Sequence, residues 1–153
     1  MISNEDYLVF VDDALDAMIA IVSELGDPLA SQRPDLPGAN SPYAILTHCL
    51  GVMEFWGGQV VAGRTIERDR DAEFVATGEV EDLVARAEAA KAQLHADIGR
   101  LDPSAPPRGA VLDPDDAELP LGRTQGGAMI HIYEELSQHL GQMEITRDVL
   151  LAA

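Results

Sequence analysis

Residues 124–150 read TQGGAMIHIYEELSQHLGQMEITRDVL. Met129, Ile132, Leu136, Leu140, Met143 and Leu150 recur at the spacing that lines one face of an α-helix. At ~1.5 Å per residue such a helix is ~40 Å long, enough to cross a small domain. Glu135 and His139 are four residues apart, so they lie one above the other on it. They flank the apolar stripe, His139 at ~60° and Glu135 at ~100° from Leu136, at the edge of the buried face.

Three further helices are predicted upstream. The first runs from about Asn4 to Leu25, with Tyr7, Val11, Ala14, Met18, Val22 and Leu25 on one face. Ser3 and Asp6 resemble a capping box at its start, and Gly26-Asp27-Pro28 ends it. The second begins at Ser41-Pro42, an N-cap followed by proline in the first helical position, and runs to about Arg64. Ile45, His48, Val52, Phe55 and Gln59 lie along one side of it. The third spans roughly Val80 to Leu101, with the stripe Leu83, Ala87, Ala90, Leu94, Ile98 and Leu101.

The connections are long. Residues 26–40 are rich in Pro and Gly, and 65–78 are polar, charged and irregular. Residues 102–123 contain prolines at 103, 106, 107, 114 and 120, which excludes a regular helix there. A loop of that length is either functional or the crossover returning the chain to the other end of the bundle, or both. The pattern gives an all-α four-helix bundle, one domain over residues 1–153, with long connections between helices 2 and 3 and between helices 3 and 4.

Composition narrows the function classes. With 27 acids against 10 bases, the net charge is −17, which excludes a nucleic-acid partner and an anionic membrane surface. No apolar run nears the ~20 residues of a membrane span. The start, MISNEDYLVF, lacks the basic opening of a secretory signal. The single cysteine, Cys49, leaves no intrachain disulfide, and a cytoplasmic location is expected. No phosphate loop, nucleophile elbow or dinucleotide fingerprint is present.

His48 sits in the apolar stripe of the second helix, where a polar ring needs a partner. Together with Glu135 and His139 it offers two imidazoles and a carboxylate, a set that suits zinc and other first-row metals with a coordination position to spare. The same residues also read as a surface Glu–His pair and a core histidine bonded to a carbonyl. Of the rest, His131 points further outward than His139 and is read as supporting or solvated. Glu134 and His95 are read as surface residues, Cys49 as a packed thiol, and Glu54 as facing away from His48. Trp56 is read as core or pocket lining, and Arg147 as offsetting local acids or meeting an anion.

The segment Glu135-x-x-x-His139-x-Gly141-Gln142, and the run from Thr47-His48 to Phe55-Trp56, resemble the last and second helices of the DinB-like superfamily. The resemblance implies a four-helix bundle holding a divalent metal through His48, Glu135 and His139, often as a homodimer. The His–Glu–His set is similar to the metal-binding domain of mycothiol-dependent maleylpyruvate isomerase; with the sequence ending at Ala153, that enzyme's second domain is not expected. Relatives transfer low-molecular-weight thiols, mycothiol or bacillithiol, onto electrophiles. The resemblance therefore implies a metal-dependent thiol transferase acting on a small electrophile. Zinc is the default metal, with nickel, iron or manganese as alternatives. A non-catalytic metal- or ligand-binding bundle and a metal-dependent hydrolase are the other two readings.

Overall fold

Ser3 opens the first helix as expected: its Oγ accepts from the Asp6 N–H at 3.0 Å. Ser41 and Thr124 do the same for Ala44 and Gly127. Each satisfies one of the backbone donors that a helix start leaves free. In this computed structural model, residues 2–99 and 101–153 are described.

The long helices are α1 (Asn4–Ala30), α2 (Pro42–Val52), α4 (Val80–Ile98) and α7 (Gln125–Ala152). Short helices α3 (Arg70–Glu73), α5 (Pro114–Ala117) and α6 (Pro120–Arg123) lie in the connections. Among the described residues there is no strand. Every stripe residue expected in α1 and α4 is buried; in α7 all are buried except Leu140, which is partly so. Gly26 interrupts α1 with φ 68°, a left-handed conformation that favours glycine, and one further turn containing Pro28 follows. The expected stop is therefore a kink.

The second helix departs from expectation in two ways. Residues Ala44 to Met53 are buried on every face, so α2 is a central helix and not an amphipathic one. Beyond Val52 the chain widens into a π-helix over Met53–Val61. It closes at Gly63, with φ 78°, where the Arg64 N–H reaches the Gly58 carbonyl at 2.9 Å.

Pairs between helices fix their directions. Asn4 with the Ile98 carbonyl, Asp12 with His95 and Asp16 with Lys91 set α1 antiparallel to α4. Glu54 with Arg86 and Arg64 with Asp97 set α2 and its π-segment parallel to α4. Tyr7 Oη donates to the Met129 carbonyl at 2.6 Å, bringing the starts of α1 and α7 together. Two parallel neighbours, α2 and α4, require a connection that travels the length of the bundle. Residues 62–79 are that crossover.

The 102–123 connection is therefore not a lengthwise crossover, because α4 ends where α7 begins. Nor do its prolines exclude helix throughout. Pro114 and Pro120 occupy the first turns of α5 and α6, where a missing N–H costs nothing. Gln59 and Gln125 pin the loop: the Gln59 amide donates to the Ala110 carbonyl and that of Gln125 to the Pro106 carbonyl. A Cβ on Gly127 would strike the Pro120 carbonyl, so only glycine lets α7 start this close to α6.

Candidate metal centre

His48 and the pair Glu135–His139 face each other across the antiparallel contact of α2 and α7. Nε2 of His48 lies 3.0 Å from Oε2 of Glu135, and Nε2 of His139 lies 3.5 Å from the same oxygen. The two imidazole rings meet edge to face with centroids 5.0 Å apart. One ligand atom from each of the three residues falls within 4.8 Å of the others. His48 is buried, and Glu135 and His139 are half-buried.

The outer ring nitrogens are already engaged. Nδ1 of His48 lies 2.8 Å from Oε2 of Glu73, and Nδ1 of His139 lies 2.8 Å from Oε1 of Gln142. Arg68 holds Glu73 through both carboxylate oxygens, at 2.7 and 2.9 Å. Nη2 of Arg68 also stands 3.5 Å from Nδ1 of His48, but the carboxylate is much nearer, so the ring proton belongs on Nδ1. Both Nε2 atoms then turn lone pairs toward Glu135. Lone pairs facing a carboxylate repel unless a proton or a cation lies between them. This donor set therefore fits a divalent metal, with each imidazole oriented by an outer partner in the manner of metal-binding histidines.

The electrostatics agree. Burial alone would push the His48 pKa down, but hydrogen bonds to Glu135 and Glu73 outweigh it and hold it above the ordinary imidazole value. The hydrogen bonds from His139 and His48 hold Glu135 far below the usual carboxylate range against the effect of burial. Glu73 is also buried, which opposes ionisation, yet His48 and Arg68 keep it lowered and anionic. Burial pushes the Cys49 thiol up, as suits a packed, unreactive sulfur.

A cavity of about 290 Å³ opens beside two of the three, His48 and Glu135. Phe55, Trp56 and His131 border it, and the 102–123 loop brings Leu112, Asp113 and Asp116 over it. His131 packs edge-on against Trp56, with centroids 4.8 Å apart, and is absent from the converging ligand atoms. Trp56 is thus both core and pocket lining. His95 is on the surface with Asp12, Glu54 pairs with Arg86, and Arg147 pairs with the adjacent Asp148. Glu134 is exposed beside His131.

Sequence reasoning missed Glu73, Arg68 and Phe74, all on the crossover. Phe74 stacks on the His48 ring at 4.6 Å. Its only signal was to be the single aromatic residue between 65 and 78.

A family model described as mycothiol-S-transferase matches residues 7–151. A crystal structure of a conserved protein from Enterococcus faecalis superposes with a TM-score of 0.73, covering 100% of this chain and 99% of that chain. At 14% identity that likeness is one of fold alone. No curated protein matches the chain. Among the described residues no helix is long and apolar enough to cross a membrane.

Proposed function

Because the chain belongs to the mycothiol S-transferase family, we propose that it is a metal-dependent transferase that joins a low-molecular-weight thiol, of the mycothiol or bacillithiol kind, to a small electrophile. His48, Glu135 and His139 hold the ion, zinc by default, with nickel, iron or manganese as alternatives. A divalent cation there supplies the positive charge that favours the deprotonated form of a thiol at neutral pH.

The observation that carries this reading is the convergence of two inward-turned imidazole nitrogens on one carboxylate oxygen beside an open cavity. His48 and His139 supply neutral nitrogen ligands, and Glu135 offsets part of the cation's charge. Three protein ligands leave room for a further group, as in catalytic sites. Phe55 and Trp56 form an apolar wall that limits water on one side of the cavity. The thiol's S–H bond breaks and its proton passes to water at the cavity mouth. One sulfur–carbon bond forms as the C–O bond of an epoxide, or the π bond of an activated alkene, breaks. The electron pair so released takes a proton back from water, so the sum is addition of the thiol.

Elemental analysis of untagged protein should find about one divalent ion per chain. The loaded protein should speed consumption of an electrophile such as an epoxide or activated alkene by mycothiol or bacillithiol. Metal retention without any rate above background, with mycothiol, bacillithiol and glutathione alike, would favour a binding protein over an enzyme.

A further inference from the structure

We propose that Glu73, clamped by Arg68, is a positioning residue that sets the affinity of the site by holding His48 as the tautomer protonated at Nδ1. This inference rests on the metal-binding reading above and extends it to the crossover.

Glu73 lies on the side of the His48 ring away from Glu135, 2.8 Å from Nδ1, so it does not reach the ion itself. A carboxylate there accepts the Nδ1–H bond, fixes the ring's rotation and makes Nε2 a better electron donor. Arg68 occupies both oxygens of Glu73 and so fixes the acceptor in turn. Phe74, the next residue, stacks on the same ring and limits its tilt. The crossover is itself tied down, since Arg33 Nη2 donates to the Phe74 carbonyl at 2.6 Å. A buried carboxylate, a buried imidazole and an arginine that is only about one-tenth exposed are an expensive group to assemble merely as filling. Their alignment along the Nδ1–Nε2 axis of His48 gives them a role in presenting that ligand.

The test compares wild type with Glu73→Ala and Glu73→Gln. Zinc affinity is measured by competition with a chromophoric chelator, and the His48 tautomer is read from long-range nitrogen–proton NMR of the zinc-loaded protein. Glu73→Ala is expected to lose ~10–100-fold in affinity. Glu73→Gln, which keeps an acceptor oxygen, should recover part of that loss. In wild type the His48 proton should sit on Nδ1, which can be read even if both variants fail to fold. Affinities unchanged in both variants, or a wild-type proton on Nε2, would overturn the proposal. A wild-type protein that binds no zinc would instead overturn the metal-binding reading. The metal-free tautomer would then still decide the role of Glu73.

Discussion

Nε2 of His48 and Oε2 of Glu135 stand 3.0 Å apart, although each offers lone pairs once the ring's proton sits on Nδ1 and is donated in a hydrogen bond to Glu73. Without a metal, an added proton is what reconciles them. A metal bound there would therefore compete with that proton for the same nitrogen. Because the His48 pKa is raised above 6.5, metal affinity should weaken as pH falls through that raised value, by up to ~10-fold per unit below it. Affinity measured from pH 5.5 to 8.5 checks this, and a flat profile would count against His48 as a ligand.

The metal-free protein should show a matching stability window. The contribution of His48, whose folded pKa is raised, is complete below its unfolded value of 6.5 and is lost as pH rises through the folded value. That of Glu135, whose folded pKa is depressed, is complete above 4.5 and is lost as pH falls toward the folded value. The Tm difference between chelator-treated wild type and Glu135→Gln should thus be largest between about pH 4.5 and 6.5. A difference that grows steadily to pH 9 would contradict the assignment.

His139→Ala should abolish stable metal binding, since it leaves two protein ligands where first-row catalytic sites use three. Elemental analysis after gel filtration reads this directly, and full retention would remove His139 from the site.

Leu136 is fully buried, next to Glu135. Leu136→Ala should cost ~2–5 kcal/mol through lost apolar contact and the remaining cavity. Tyr7→Phe, which deletes only the bond to the Met129 carbonyl, should cost ~0.5–1.5 kcal/mol. Urea denaturation separates the two. Near-equal losses would show that the helix starts depend more on the tyrosine hydroxyl than on core volume.

Trp56 is the only tryptophan and borders the cavity beside His131. Binding of a thiol ligand to zinc-loaded protein should change its emission, and Trp56→Phe should remove the signal. Thiol binding by calorimetry with no change in wild-type emission would place the ligand elsewhere.

The bundle was legible because burial in α1, α4 and α7 is one-sided, and a one-sided face leaves a 3.6-residue rhythm in the chain. The converging trio was legible because Glu135 and His139 share a helix and His48 is a polar ring in an apolar run. Glu73 was not. It reaches His48 through a crossover whose path depends on α2 and α4 being parallel, and no local pattern records helix direction. The π-segment was hidden for a related reason. Residues 53–61 are apolar on nearly every face, so a wider turn shifts no polar residue into the core and leaves no irregularity to read.

That wider turn has a consequence for insertions and deletions. A π-segment holds about 4.4 residues per turn against 3.6, so it stores slack in the winding of the helix. Removing one residue near Gly57-Gly58 would let the segment rewind as ordinary α-helix. His48, upstream, would keep its register with α7. Because each remaining residue would then turn further, Val60, Val61 and Arg64 would shift relative to α4 and Asp97 by less than the ~100° that a deletion in an ordinary helix causes. The end of the molecule that carries His48 and the end that anchors the 102–123 loop are thus separately adjustable, with the slack between them absorbing part of a change in chain length.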